Sequence, residues 1–386
     1  MFNSRKQIEH QNYKEGFMKS KLSFALSCAA MFSLFGMTAC GGDSGSGSEL
    51  EGELNLIAGC EEPYMNAVAK AFGDKYGVKV NPIRKSSGEI ETQIKNEKGN
   101  PSADVIFGGT TDPYNALKAA GLLEKYKSAN DDKIDANFKD ANNYWYGIYK
   151  GILGFMWNKD KLAELNLTAP STWDDLLKPE YSKYITWSHP TTAGTAKLVV
   201  NTIVQKKAAG KKTTYTNSDN ETIDCYDDTA AMEYFKELDK NTAKYTKSGS
   251  GASKEVGIGT TVIGIGFLHD VIYQIVDKKY TNIGMCAPSD GTSYEVGATA
   301  ILKGAKHPNL AKKFIDFATS AECVELAAQN GSYQFLVVNG AKQPQAAIDA
   351  GIDKVTVMDY DFDDAKKNTA HYVEDFTKAV KTEVTA

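Results

Sequence analysis

The sequence has little that would support catalysis or nucleic-acid binding. Its 386 residues contain no H-E-x-x-H, G-x-S-x-G or Walker pattern, and its five histidines show no metal-ligand spacing. Lysine and arginine total 44 against 49 aspartate and glutamate residues, so the net charge of −5 lacks the basic background of a nucleic-acid-binding protein. The glycine-rich segment Val256–Gly266 does not follow the first strand of a βαβ unit, which argues against a dinucleotide site. We therefore expect a protein that is not an enzyme, with no resident cofactor or metal and no nucleic-acid partner.

The sequence also lacks a run of about 20 apolar residues, which a transmembrane helix requires. The apolar stretch Leu22–Met37 follows two lysines and precedes the small residues Thr38 and Ala39, an order typical of a secretory signal. Cys40 comes next, and "MTAC" resembles a bacterial lipobox in which the cysteine is lipidated, although Met37 stands where leucine is usual. A plain signal peptide is the alternative.

These features predict how the chain begins. Residues 1–40 are expected to comprise an N-terminal extension plus a lipoprotein signal peptide, with either Met1 or Met18 as the start. Residues 41–52 are rich in glycine and serine and are expected to form a flexible tether. The body would then be exported and attached to the cell envelope through a lipid on Cys40.

Cysteines are few beyond this segment. Cys60, Cys225, Cys286 and Cys323 lie far apart with no C-x-x-C. Export permits disulfides, but the spacing does not decide whether any form. The default expectation is small, mostly buried apolar residues.

The first folded part alternates strands and helices. Strands are predicted at Glu53–Gly59, in "VKVNPI" and in "ADVIFGG", and a helical pattern follows each of them, the second beginning at Ser87. Short connections between such elements indicate a parallel α/β sheet. Ligands bind beyond the carboxyl ends of the strands in these sheets, so the loops "GCEE", "RKSSGE" and "GGTTD" are expected to lie at one binding edge.

The later part is less regular. The apolar run "YWYGIYKGILGF" is long enough to cross between two lobes, and "YTNIGMCAPSDGTSYEVGATAILKG" could return. We expect residues 256–279 to contain a strand and a helix, with the strand "VIGIGF" (Val262–Phe267) directly before His269, and residues 206–228 to form an exposed polar excursion. The tail after residue 342 is expected to be largely helical.

Polar groups stand at several of the predicted helix starts. Ser86 and Glu89 form a capping box, with Ser87 between them, and Thr110 lies in the loop after the third strand. A second set follows later in the chain: Thr192, Gly194, Thr195, His269 and Asp270. Each group alone is explained by helix capping or by the helix dipole. Together they predict an anion site that suits a phosphate, phosphonate or carboxylate.

The chain resembles the solute-binding proteins of bacterial ABC importers, in the group with ferric-ion-, aminoethylphosphonate- and hexose-phosphate-binding members. The resemblance rests on segments such as "SADVIFGGTTDPYNALKAAGLLEKY", "HPTTAGTA", "IGIGFLHDVI" and "SYEVGATAILKGAKHPNLAKKFIDFATS", which together span most of residues 52–342. It implies an α/β fold of the type II periplasmic-binding-protein class. In this fold two lobes, each a mainly parallel sheet flanked by helices, are joined by two crossing segments that act as a hinge.

The resemblance also implies domain boundaries and partners. Residues 53–150 and 287–342 would form the first lobe, residues 151–286 the second, and residues 343–386 a helical segment packing on the lobes. The partners would be a small anionic solute and a membrane permease, and we expect a monomer.

The resemblance further implies which residues hold the solute. Ser86, Ser87, Thr192, Gly194, Thr195 and His269 would bind phosphoryl oxygens, with Asp270 and Glu295 accepting hydrogen bonds from hydroxyl or ammonium groups. This favours a sugar phosphate or aminophosphonate. The segment Tyr333–Ala341 departs from the family pattern, which leaves its contacts open.

Two other functions remain open at this point. The first is ferric-iron binding by His269, Glu295 and a tyrosine such as Tyr294, although the tyrosine pair of ferric-binding members is missing. The second is an exported phosphate-ester hydrolase using Asp270 and Glu295 as an acid–base pair with His269.

Overall fold

The computed structural model describes residues 52–380, and the structural statements below concern that range. The predicted signal peptide, Cys40 and all of the tether except Gly52 lie outside it, so these features stay predictions. No helix in the described range combines the length and apolar character that crossing a membrane requires.

Strands and helices alternate through the first third of this range. The strands are β1 (Glu53–Ala58), β2 (Lys79–Arg84), β3 (Val105–Thr110), β4 (Leu123–Glu124), β5 (Tyr146–Asn158), β6 (Ile185–Ser188), β7 (Lys212–Thr216), β8 (Thr222–Tyr226), β9 (Thr242–Thr246), β10 (Ile263–Phe267), β11 (Ile283–Cys286), β12 (Tyr294–Leu302) and β13 (Phe335–Leu336). The helices are α1 (Glu62–Tyr76), α2 (Ser87–Asn96), α3 (Thr111–Ala119), α4 (Lys159–Glu164), α5 (Gly194–Ala208), α6 (Thr229–Asn241), α7 (Gly251–Ile258), α8 (Leu268–Val276), α9 (Pro308–Ala318), α10 (Ala321–Val324), α11 (Leu326–Gln329), α12 (Gln345–Asp349) and α13 (Phe362–Ala379). Short 3₁₀ turns occur at Asp131–Lys133, Ala136–Phe138, Asp174–Leu177, Pro179–Tyr181 and Ile352–Lys354.

The main sheet joins two parallel groups of strands. Its order is β2-β1-β3-β12-β5-β10-β6-β9, with β1 parallel to β2 and β3, and β6 parallel to β9 and β10. The strand β5 links the groups, because Tyr146–Ile152 pairs with β12 while Leu153–Asn158 pairs with β10 and β11. This is the apolar segment that the sequence indicated as a crossing.

Buried side chains gather into separate clusters on the two groups. One set draws on residues 54–149 together with 298–338, and another on residues 153–267 together with Tyr360–Val380. The helix α13 packs beside α5 and α6, where Phe376 contacts the rings of Trp187 and Phe235. The exact lobe boundaries given above remain predictions.

Two local details add to the predicted elements. The polar excursion is largely exposed, as expected, and it contains an antiparallel hairpin of β7 and β8, anchored where the Tyr226 N–H donates to Tyr372 Oη at 2.8 Å. The strand predicted in "VIGIGF" is β10, and the preceding helix α7 is terminated by Gly259 in the left-handed conformation with φ of 75°. The four cysteines of the described range, Cys60, Cys225, Cys286 and Cys323, are free thiols.

Candidate functional site

A small cavity of about 60 Å³ lies where the carboxyl ends of β1, β2 and β3 face the starts of α5, α7 and α8. Eight of the nine binding residues predicted from the sequence line it: Ser86, Ser87, Thr110, Gly194, Thr195, His269, Asp270 and Glu295. A larger neighbouring cavity of about 340 Å³ is also lined by Thr110 and Glu295, but most of its other lining residues belong to other segments. The predicted polar groups therefore converge on the small cavity.

Six helices begin at the wall of this cavity. The residues that precede α1, α2, α3, α5, α7 and α8 all line it: Glu61, Ser86, Thr110, Ala193, Ser250 and Phe267. The first N–H groups of a helix have no partner within the helix and carry partial positive charge. Their convergence favours a negatively charged group in the cavity.

The two adjacent serines have different partners. The N–H and hydroxyl of Ser86 both donate to Glu89 Oε2, at 3.0 and 2.8 Å, so Ser86 is occupied by the capping box of α2. Ser87 Oγ accepts the N–H of Thr110 at 3.2 Å, and its own hydrogen is left for another acceptor. Ser86 therefore starts the helix, and Ser87 has a donor to offer to a ligand.

Thr110 offers the first of several buried atoms without a partner. Thr110 is 6% exposed, and its Oγ1 has no hydrogen-bond partner within the described range. A Cβ built on Gly194 would lie 2.3 Å from this oxygen, so only glycine lets the start of α5 approach β3 so closely.

The two predicted threonines near the start of α5 also differ, because only Thr195 lines the cavity. Thr195 is buried against Gly249, where an added Cβ would come within 2.0 Å of Thr195 Oγ1. Thr192 lies beside the cavity, not on its wall, and its hydroxyl donates to the carbonyl of His189 at 3.2 Å. Thr192 is thus the one predicted site residue that does not line the cavity.

His269, Asp270 and Glu295 form the acidic side of the cavity. All three are at most 7% exposed, and His269 Nδ1 and Glu295 Oε2 are without partners among the described residues. Gly151 lies against the side chains of His269 and Glu295, since a Cβ there would lie 2.8 Å from His269 Nδ1 and 3.0 Å from Glu295 Oε1. His269 Nε2 lies 4.0 Å from Asp270 Oδ1.

Burial shifts the titration of these groups toward their neutral forms. It lowers the pKa of His269 to about 3, so the imidazole is uncharged at neutral pH. Burial also raises the pKa of Glu295 and of Asp270, and the neighbouring charge of Glu61 raises both further. A carboxyl group that protonates readily can both donate and accept hydrogen bonds, which suits hydroxyl groups on a ligand.

Sequence reasoning identified some wall residues only by their loops and missed others. Glu61 and Arg84 lie in or beside loops that were expected at this edge, and Ser332 Oγ donates to Glu61 Oε2 at 3.1 Å. Tyr149 and Gln334 were missed, although Gln334 falls in the segment whose contacts were left open. Tyr149 Oη accepts the N–H of Gly109 at 2.9 Å, on a strand distant in sequence.

The ligand set considered for iron is not assembled. Tyr294 precedes Glu295 on β12, so their side chains point to opposite faces of the strand. Its ring packs against Phe138 and Phe362, with centroids 6.5 and 5.1 Å away. A different group does converge, because ligand atoms of Glu61, His269 and Asp270 lie within 4.8 Å of one another.

Comparison with known proteins places this geometry in context. The family model for bacterial extracellular solute-binding proteins matches residues 100–368. A protein of Haemophilus influenzae is 36% identical over 326 residues, covering 83% of this chain and 87% of its own length. The Fe(3+)-binding periplasmic protein of Serratia marcescens is 22% identical over 364 residues, covering 92% of this chain and 96% of that protein.

A solved structure resembles the whole body of the chain. The periplasmic binding protein AfuA of Actinobacillus pleuropneumoniae, with exogenous fructose-6-phosphate bound, has a TM-score of 0.75 and 34% identity. The match covers 85% of this chain and 98% of AfuA. The predicted type II periplasmic-binding-protein fold is confirmed, and the chain belongs to the family of bacterial extracellular solute-binding proteins.

Proposed function

We propose that this chain is the binding component of an ABC importer, and that it captures a small phosphorylated solute in the cavity and delivers it to a membrane permease. The observation that carries the proposal is the convergence of six helix N-termini on a cavity whose wall includes Thr110 Oγ1, an atom with no hydrogen-bond partner among the described residues. Such donors bind phosphoryl oxygens without a dedicated lysine or arginine. The fructose-6-phosphate bound to AfuA, a relative 34% identical, supports the same ligand class.

The two sides of the cavity suggest two ends of the solute. The hydroxyls of Ser87, Thr110 and Thr195 and the helix N-termini would hold the phosphoryl group. The resemblance assigned His269 to the phosphoryl group, but its neutral ring lies beside Asp270 and Glu295, so we propose that these three side chains bind hydroxyl or amine groups at the other end. Bare phosphate would leave those buried groups unpaired, which costs free energy. A sugar phosphate or an aminophosphonate would satisfy both sides.

The proposal includes the place where the protein acts. We also propose that the protein is exported to the cell envelope, carries a lipid on Cys40 and is a monomer. The mass of the mature N-terminal peptide tests the lipid, because an unmodified Cys40 would contradict the anchor.

Solute-dependent stabilisation tests the ligand class. We expect fructose-6-phosphate at about one hundred times its Kd to raise the free energy of unfolding by about 2.7 kcal/mol, measured by thermal shift. Fructose and inorganic phosphate, each carrying one end of that molecule, should stabilise far less at the same concentration. Equal stabilisation by fructose alone would contradict a phosphate site. No stabilisation by any sugar phosphate or 2-aminoethylphosphonate would contradict the proposal as a whole.

A matched pair of variants connects that result to the cavity. Thr195→Ala removes a wall hydroxyl and should weaken fructose-6-phosphate binding about tenfold, as expected for a hydrogen bond to a charged group. Thr192→Ala removes a hydroxyl from the same loop but off the cavity wall, and should leave affinity unchanged. Isothermal titration calorimetry measures both, and equal losses would contradict the assignment of the wall.

One observation favours ferric iron as a second candidate cargo. Glu61, His269 and Asp270 could supply three ligand atoms, and oxygen and imidazole groups suit this ion. The same thermal-shift series with ferric citrate distinguishes the candidates. Stabilisation by ferric ion that is lost in Asp270→Asn, with no response to phosphorylated solutes, would favour iron.

A further inference from the structure

Helix α2 carries two carboxylates whose partners lie across the cavity. Glu91 Oε2 is 3.3 Å from Lys197 Nζ in the first turn of α5. Glu89 Oε1 is 3.2 Å from Lys247 Nζ, in the residue directly before the cavity-lining Ser248. The helix whose start supplies Ser87 is thus bridged to two segments of the opposite wall.

The two ion pairs are not equivalent. Glu91 and Lys197 are each 17% exposed, whereas the side chains of Glu89 and Lys247 are 42% and 66% exposed. Exposed pairs contribute little because solvent and salt screen them, so the Glu91–Lys197 pair, hereafter the cross-cavity pair, carries the argument. Burial opposes the ionisation of Glu91, but the charges of Lys197 and Lys95 outweigh it and hold the pKa of Glu91 below its ordinary value.

Lys197 faces acids on two helices of the far wall. Besides Glu91 on α2, its charge acts on Asp112 in the first turn of α3. Burial raises the pKa of Asp112 to about 6, and Lys197 opposes that rise. A single cation on α5 therefore stabilises carboxylates on both α2 and α3.

The backbone around the cross-cavity pair is also in close contact. A Cβ built on Gly88, at the start of α2, would lie 3.0 Å from the carbonyl oxygen of Thr192, in the loop before α5. The pair thus sits beside a point where the two walls touch. Moving the walls apart to release a solute would separate Glu91 from Lys197.

We propose that the cross-cavity pair holds the two walls together and sets the rate at which bound solute is released. Lys197 is in this sense a positioning residue, because it acts through the closure of the walls and does not line the cavity. The proposal rests on the function proposed above only in requiring a solute. Its structural part, the closure of the walls, can be measured without one.

The chain provides a matched control for Lys197. Lys95 also pairs with Glu91, at 2.8 Å, but it lies on α2 itself, four residues further along. Lys95→Met and Lys197→Met therefore remove the same charge from the same carboxylate, and only Lys197→Met removes a contact between the walls. A general electrostatic or structural effect would appear in both variants.

The test compares release of fructose-6-phosphate by stopped-flow tryptophan fluorescence. We expect Lys197→Met to speed dissociation about fivefold and Lys95→Met to leave it within experimental error of wild type. Glu91→Gln should reproduce Lys197→Met, and the double variant Glu91→Gln/Lys197→Met should add nothing further, since both changes break one contact. The difference from wild type should shrink as salt is raised.

Small-angle X-ray scattering without added solute separates this proposal from the proposed function. We expect a larger radius of gyration for Lys197→Met than for wild type or Lys95→Met. If wild type does not bind fructose-6-phosphate, the proposed function is in question while the scattering result still decides the closure. Equal behaviour of Lys197→Met and Lys95→Met in both measurements would overturn the cross-cavity pair.

Discussion

At the scale of single residues, neighbouring side chains of the same type have different tasks. Ser86 gives both its N–H and its hydroxyl to Glu89, whereas Ser87 accepts one hydrogen bond from Thr110 and keeps its own hydrogen. A capping serine contributes to helix stability, and a serine that faces a bound anion contributes to affinity. The two roles can therefore be separated by experiment.

We expect alanine substitutions at the two serines to act on different quantities. Ser86→Ala should lower the free energy of unfolding by about 1 kcal/mol, measured by urea denaturation without solute. Ser87→Ala should leave that quantity nearly unchanged and weaken fructose-6-phosphate binding about tenfold by calorimetry. Lower stability with unchanged affinity in Ser87→Ala would contradict this assignment and show that Ser87 only stabilises the helix.

Sequence reasoning reached some residues of the site and not others for a simple reason. Ser86, Ser87, Thr110 and Thr195 stand at helix starts, where local patterns are informative. Tyr149 and Gln334 reach the wall from a central strand and from a segment far along the chain, and no local pattern marks them. Thr192 shows the converse case, because its hydroxyl donates to the His189 carbonyl and a threonine-rich helix start brings only some of its hydroxyls to the cavity wall.

At the scale of elements, the start of α2 combines capping with charge. Hydrogen bonds from Ser86 and the charge of Lys247 lower the pKa of Glu89 to about 2. Because the pKa is lower in the folded state than in the unfolded chain, ionised Glu89 stabilises the fold above about pH 4.5, and this contribution is lost as the pH falls toward 2.

Glu89→Gln isolates this charge, because glutamine can also complete a capping box. We expect the wild type to be more stable than Glu89→Gln at pH 7, with the difference shrinking between pH 4.5 and 2 in urea denaturation. Glu233→Gln provides the control, since Glu233 pairs with Lys236 on the exposed face of α6 and should show a smaller difference. A Glu89→Gln difference that stays constant with pH would contradict the charge contribution.

Elements with strong periodic or apolar patterns were predictable, and the polar hairpin was not. The helix α1 buries Met65, Val68 and Phe72 on one face and ends at Gly77, in agreement with its pattern. The short apolar run "VIGIGF" forms β10, as predicted. The hairpin β7–β8 is polar, and its register depends on packing against α13, which the local sequence does not contain.

At the scale of the whole molecule, local patterns predicted the first parallel group and two crossing segments, but not the order in which the strands join. Alternation of strands and helices was enough for β1, β2 and β3. The antiparallel insertion of β12 pairs it with residues about 190 positions away on β3 and about 150 positions away on β5, so its segment was anticipated as a return crossing but its place in the sheet was not. The same long-range pairing places the starts of α2, α3 and α5 close enough to share one cavity.

That close approach predicts that one glycine controls closure of the whole molecule on its solute. At Gly194 an alanine Cβ would lie 2.3 Å from Thr110 Oγ1, so Gly194→Ala should keep the walls apart. The cross-cavity pair favours contact of the walls without solute, and bound fructose-6-phosphate should shift the remaining open molecules to the closed state. We therefore expect wild type to contract further in small-angle scattering when the solute is added and Gly194→Ala to remain expanded. Alanine is the better helix former, so stability without solute should not fall.

Thr110→Ala removes the clashing atoms and should restore contraction to Gly194→Ala at saturating solute, even though the lost hydroxyl lowers affinity. Contraction of Gly194→Ala equal to wild type would show that closure does not bring these two residues together.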